Sequence, residues 1–198
     1  MYLIFDTETT GLPKNYQAPL SDFTNWPRLV QLAWQTYDQD GNLWEKHNYI
    51  IRPDGFVIPA AATKIHRISH EKALAEGKDL REILSIFADH IKRASFLVGH
   101  NISFDEKIMG AEFLRHNISN PLEGATKICT MKASVDFCAL DNGRDNGFYK
   151  WPSLSELHLK LFKVDFTEAH DADIDVTACA RCFFELKSRG VLNKLNSL

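Results

Sequence analysis

The chain has 198 residues, 44% hydrophobic and 25% charged, a globular composition that excludes a largely disordered, collagenous or membrane-embedded protein. Its 23 lysines and arginines face 26 aspartates and glutamates, a formal charge of −3, so no broad basic face for wrapping nucleic acid is expected. The length predicts one domain over residues 1–198, and four cysteines with no apolar leader predict a reducing, cytoplasmic setting.

Apolar Tyr2–Phe5 reads as a short buried strand ending at Asp6. Leu29–Tyr37 and Leu43–Ile51 read as two more, joined by the turn signal Asp38-Gln39-Asp40-Gly41. An extended Pro53–Pro59 segment follows. Asp79-Leu80-Arg81-Glu82 has the form of a capping box and opens a helix carrying Ile83, Ile86, Phe87 and Ile91. Ser95–Val98 reads as a fourth strand, closed by Gly99, and Phe104, Ile108, Ala111 and Leu114 then repeat at helical spacing. Ser153-x-x-Glu156 caps a further helix, and a long one runs from about Ala172 to Ser188, stopped by Gly190. Cys179-x-x-Cys182 falls inside that helix without a second ligand pair at finger spacing, so it reads as helix packing. Strands that first meander and then alternate with helices predict a mixed α/β layer fold.

Two segments stand outside this pattern. Residues 13–27 carry Tyr16, Phe23 and Trp26, and residues 140–151 carry two Asn-Gly turns with Arg144 and Lys150. They read either as surface loops pinned by buried aromatics or as a rim that stacks bases and meets phosphates.

Three acidic segments carry the chemistry. Asp6-Thr7-Glu8 stands at a strand end, where residues two apart share a face and repelling carboxylates are relieved by a divalent cation. Gly99-His100-Asn101-Ile102-Ser103-Phe104-Asp105 leads from a strand through a turn into a helix, with Asp105 in its first turn. His170-Asp171-Ala172-Asp173-Ile174-Asp175 opens the last helix. There Asp171 fits a helix cap, and Asp173 and Asp175 stand about 200° apart, so both cannot face one site. His170, with an ordinary pKa near 6.5, has the chemistry of a general base.

In this order the three segments resemble the DEDDh-type 3′–5′ exonucleases of the ribonuclease-H-like superfamily, which include the proofreading epsilon subunit of bacterial DNA polymerase III. The likeness runs from Phe5-Asp6-Thr7-Glu8-Thr9-Thr10-Gly11-Leu12 to the last helix. It takes in Val30-Gln31-Leu32-Ala33, Ile65-His66-Arg67-Ile68 and Ser153-Leu154-Ser155-Glu156-Leu157. The spacing of His170 and Asp175 matches the histidine branch; Asp171 stands where the tyrosine branch has Tyr.

The resemblance implies a ribonuclease-H-like mixed sheet, an antiparallel meander followed by parallel strands, flanked by helices. It implies that Asp6, Glu8, Asp105 and Asp175 hold two divalent ions, Mg²⁺ with Mn²⁺ as a substitute, and that His170 takes the proton from the attacking water. Leu12 would wedge against the terminal base, and His66 and Asn101 would contact the terminal nucleotide. Arg67 departs from the glycine common in the family, which either hinders close backbone approach or adds a phosphate contact. The expected substrate is the 3′ end of single-stranded or frayed DNA, with a DNA polymerase as a separate partner. The rival readings are an exoribonuclease acting on RNA or short oligoribonucleotides, and a catalytically silent docking module.

Overall fold

The computed structural model describes residues 1–164 and 171–192. In chain order the elements are β1 (Tyr2–Thr9), β2 (Leu29–Tyr37), β3 (Leu43–Ile50), α1 (Ala60–His66), α2 (His70–Glu76), α3 (Leu80–Arg93), β4 (Phe96–Gly99), α4 (Ile102–Arg115) and β5 (Lys127–Cys129). Two single-turn helices follow, α5 (Thr130–Ala133) and α6 (Val135–Cys138), then α7 (Leu154–Phe162) and α8 (Ala172–Ser188). The five strands form one sheet in the order β3-β2-β1-β4-β5. β1 is antiparallel to β2 and parallel to β4, and β4 is parallel to β5. This is the mixed, ribonuclease-H-like sheet that the order of motifs implied.

Period-two alternation divides β1 between two layers. Leu3 and Phe5 join Trp34, Leu84, Phe87 and Phe113 beneath α3 and α4, whereas Ile4 joins Ala33, Leu157, Val176 and Phe183 beneath α7 and α8. Phe5, Trp34 and Phe87 are essentially inaccessible to solvent and pack ring to ring, so truncating any of them would cost about 3–5 kcal/mol. Asp6 and Glu8 continue the Ile4 side and therefore face α8.

β1 does not end at Asp6. It continues to Thr9 because β2, buried along all nine residues, pairs with it throughout, Asp6 opposite Ala33 and Glu8 opposite Gln31. The carboxylates thus stand on a paired, rigid strand and not on a turn. Ile51 adds only a bridge to Lys78 beyond β3, and the fourth strand is Phe96–Gly99, one residue later than Ser95–Val98. The Asp79 carboxylate caps α3 by accepting from the Glu82 N–H at 3.0 Å. Ser153 and Glu156 make both halves of a capping box on α7. α8 has the predicted bounds, Asp171 caps it by accepting from the Asp173 N–H, and Gly190 follows with φ +71°.

The short elements α1, α2, β5, α5 and α6 were not expected from the sequence. Each has three to seven residues, too few for a periodic pattern and too short to be stable without tertiary contacts. Cys179 and Cys182 are buried free thiols on α8, pushed to higher pKa by burial, as helix packing requires. Among the described residues no helix is long and apolar enough to cross a membrane.

Candidate active site

The even face of β1 and the first turn of α8 create the cluster. One ligand oxygen from each of Asp6, Glu8 and Asp175 lies within 4.8 Å of the others. Asp173 turns away, as its angular offset requires, and pairs with Lys46 on β3 at 2.9 Å.

Asp105 comes from the other layer, in the first turn of α4, and is only 3% exposed. Thr7 alternates with Asp6 and Glu8, so its side chain points into that layer. Its hydroxyl donates to Asp105 Oδ1 at 2.6 Å and its backbone N–H to the same oxygen at 3.1 Å. One strand therefore supplies two acids directly and fixes a third through the residue between them.

Crowding and burial raise the acids together. Burial first, then Asp105, Asp175 and Glu8, hold the Asp6 carboxyl well above its usual range. Burial, with Asp175 and Asp105, pushes Glu8 up to about 8. Asp105 rises to about 7 because burial outweighs the opposing hydrogen bonds from Thr7. Among the described residues no ion pair reaches Asp6, Glu8 or Asp105. Oxygen-only donors, packed this closely and short of positive charge, fit a hard divalent cation.

The substrate residues implied by the resemblance lie on the segments that lead from β1, into α4 and out of α1. Leu12 sits beyond the end of β1, 74% exposed. Asn101 is left-handed, with φ +67°, and makes no side-chain cap to α4; its Oδ1 accepts from the Ser103 hydroxyl at 3.3 Å. His66 is buried; its Nδ1 accepts from the Ile68 N–H, which leaves Nε2 as a buried N–H donor directed at the Thr9 backbone without a well-formed hydrogen bond. Burial also lowers the pKa of His66, which keeps the ring neutral. It lines a cleft of about 590 Å³ together with Gln31, Arg67, Lys72 and Asp171. That cleft lies beside the carboxylates rather than over them. Arg67 adopts φ +62°, the left-handed conformation that glycine takes most easily, so the turn survives the departure and gains an exposed cation at the cleft. His170 lies outside the described residues.

Three contributors were not legible beforehand. Thr7 holds Asp105. Gln31 donates to Asp171 Oδ1 at 3.1 Å and accepts from the Ala172 N–H, fastening the start of α8 to β2; a glutamine within the apolar run 29–34 was the available signal. His100 accepts from Thr130 and donates from Nε2 to the Pro152 carbonyl at 2.9 Å, joining the turn before Asp105 to the end of the 140–151 segment. There Phe148 and Trp151 are 75% and 61% exposed, while in the 13–27 segment Trp26 is buried and donates to the Pro19 carbonyl. The first loop is pinned by a core aromatic but leaves the Tyr16 and Phe23 rings exposed, and the second presents the more open rings of Phe148 and Trp151.

Residues 3–183 match a family model described as "Exonuclease". The chain belongs to this exonuclease family. It is a DnaQ-like 3′–5′ exonuclease, a hydrolase of phosphodiester bonds, as its three acidic segments implied. Among its relatives, the PolC-type DNA polymerase III of Streptococcus pyogenes serotype M18 is 32% identical over 183 residues, 92% of this chain and 11% of that protein. The PolC-type DNA polymerase III of Mycoplasmopsis pulmonis is 28% identical over 204 residues, all of this chain and 12% of that protein. The exonuclease thus spans about a tenth of the length of the curated relatives it matches. Among solved structures, E. coli exonuclease I in complex with a dT13 oligonucleotide superposes with a TM-score of 0.73 at 20% identity, over 96% of this chain and 41% of that one. The zinc-bound form of the same E. coli enzyme with single-stranded DNA gives 0.75 at 18%, over 99% and 42%. At these identities the likeness is one of fold.

Proposed function

We propose that this exonuclease removes nucleoside 5′-monophosphates from the 3′ end of single-stranded or frayed DNA, using two divalent cations, Mg²⁺ or Mn²⁺, held by Asp6, Glu8, Asp105 and Asp175. The observation that carries the reading is the convergence of acids from β1, α4 and α8, which holds the carboxyls of Asp6, Glu8 and Asp105 above their usual range. Asp6, Glu8 and Asp175 would hold one ion, and Asp6 with Asp105 the second. Such ions supply charge neutralisation at the scissile phosphate and acidify the attacking water.

The chain's own groups do the remaining work. Thr7 fixes Asp105 through two hydrogen bonds. Leu12 would press against the last base, and the buried Nε2–H of His66 and the Asn101 amide would orient the terminal nucleotide. His170, five residues before Asp175 in sequence, would take the water's proton, as an imidazole can at neutral pH. The exposed Phe148 and Trp151 suit stacking, which accepts any base and favours an unpaired strand. DNA is preferred over RNA because the curated relatives are DNA polymerases and the matched solved structures hold DNA oligonucleotides. A DNA polymerase as a separate partner belongs to the same reading.

End-labelled single-stranded DNA and RNA of one sequence test it, each incubated with Mg²⁺ or Mn²⁺. Stepwise 3′ shortening, faster on DNA and abolished by EDTA and by Asp6→Ala, is expected. No hydrolysis of either polymer overturns the proposal, and faster cutting of RNA overturns its choice of substrate. His170→Ala retaining the full rate at neutral pH overturns the general-base role alone.

A further inference from the structure

The sheet carries a second set of metal-type donors, on the face opposite the catalytic carboxylates. Glu45 and His47 alternate on β3 with Lys46, which faces α8, so both turn toward α3. His90, near the C-terminal end of α3, meets them there. One ligand atom from each of Glu45, His47 and His90 lies within 4.8 Å of the other two. Nε2 of His90 is 2.6 Å and Nε2 of His47 is 3.2 Å from the same oxygen, Glu45 Oε2.

The outer hydrogen bonds of both rings decide the chemistry. His90 Nδ1 lies 2.9 Å from the Ile86 carbonyl, an acceptor only, so Nδ1 must carry a hydrogen. Nε2 then faces a carboxylate, also an acceptor only, so the 2.6 Å contact is bridged by a proton, whose place a metal ion bound to both atoms would take. His47 Nδ1 is engaged by the Tyr49 hydroxyl at 3.3 Å, and its ring is stacked on Trp34 with centroids 4.5 Å apart. Two imidazoles whose outer nitrogens are held by a carbonyl and a hydroxyl, with the inner nitrogens converging, form the outer shell usual for histidine metal ligands. Ligands of a tetrahedral ion with bonds of 2.0–2.1 Å stand about 3.4 Å apart. Glu45 Oε2 stands closer than that to both nitrogens, and its side chain, 42% exposed, has room to withdraw toward solvent. Arg93, 3.9 Å from the other Glu45 oxygen and 55% exposed, can swing to solvent.

We propose that Glu45, His47 and His90 bind one borderline transition-metal ion of the Zn²⁺ class, which clamps the edge strand β3 to the end of α3. Two nitrogens and one oxygen select such an ion over Mg²⁺, and the fourth position opens to water. The site is independent of the exonuclease reaction, because its ligands lie across the sheet from Asp6, Glu8 and Asp175.

Metal-stripped full-length protein titrated with Co²⁺ in excess Mg²⁺, which occupies the carboxylates, tests the site. The wild type and Asp6→Asn/Asp175→Asn should each take up one equivalent with the visible absorption of a four-coordinate site. His90→Gln and Glu45→Gln should lose it, and Glu45→Gln, altering a partly exposed side chain, should keep the wild-type circular dichroism. In the same excess of Mg²⁺, Zn²⁺ at 100 times its Kd should raise the wild-type Tm by about 5–10 °C and leave Glu45→Gln unmoved. No visible absorption in the wild type means that the cation between Nε2 and Glu45 is only a proton, and overturns the proposal. Absorption that survives His90→Gln, or disappears in Asp6→Asn/Asp175→Asn, places the Co²⁺ at the carboxylates and overturns it equally.

Discussion

Two buried acidic sites in this exonuclease are built in opposite ways. Glu112, on α4, is fully buried, yet Arg28 stands 2.9 Å and Arg115 3.1 Å from its Oε1, and the Leu29 N–H donates to the same oxygen at 3.0 Å. Asp105 is also buried and Asp6 and Glu8 are half-buried, and among the described residues no ion pair reaches them, while Asp175 adds further negative charge. The first site carries its counter-charges within the chain and fixes the start of β2 onto α4. The second is short of positive charge, and its acids are raised toward and beyond neutrality. Buried charge is destabilising unless it is compensated, and a divalent cation that substrate phosphate can share would complete the second arrangement.

Breaking the two sites should have opposite consequences. Asp6→Asn removes the acid common to both proposed ions and should cut the rate of 3′ release by about 10³–10⁵-fold, the equivalent of several kcal/mol of lost charge stabilisation, read in single-turnover assays. Glu112→Ala should leave activity per folded molecule intact but destabilise by about 3–5 kcal/mol, since it strands two arginines, lowering Tm by roughly 10 °C in a protein this size. Thr7→Val keeps the backbone N–H bond to Asp105 and deletes the hydroxyl bond. A loss of about 10–100-fold in activity or metal affinity is expected, typical of an outer-shell ligand, with an unchanged far-ultraviolet spectrum.

The smallest effect is one of pH. A carboxyl whose folded pKa lies above its unfolded value binds extra protons in the folded state. Its contribution to stability is therefore full below the unfolded value and is lost as pH rises through the folded one. For Glu8 that window runs from 4.5 to about 8, and Asp105 adds to it from 3.8 to about 7. Metal-free protein should lose a few degrees of Tm between pH 5 and pH 8.5, and Asp6→Asn should flatten the slope. An equal slope in both proteins would show that the cluster does not set it.

Much of this contrast was legible in the sequence, and the reasons are local. Asp6 and Glu8 lie two apart on an apolar strand, Asp171 sits where a helix must be capped, and the angular offset of Asp173 and Asp175 separates a surface acid from a cluster acid. Those inferences need only helix and strand geometry. Thr7 was hidden because its role depends on which layer holds Asp105, 98 residues away. Glu112 was hidden because its arginines come from a strand margin and from its own helix. Glu45, His47 and His90 meet only after β3 and α3 pack, so no spacing in the sequence announces them. The length of β1 was underestimated because pairing with β2, and not the residues after Asp6, keeps it extended.

The most direct test of the central claim, that the carboxylate cluster is completed by a divalent cation, is thermal unfolding at pH 8 in EDTA and in excess MgCl₂, with wild type and Asp6→Asn side by side. Mg²⁺ should raise the wild-type Tm by several degrees and leave Asp6→Asn nearly unmoved, while in EDTA the variant should be the more stable of the two. A wild-type Tm indifferent to Mg²⁺, or a variant that is less stable in EDTA, would contradict it.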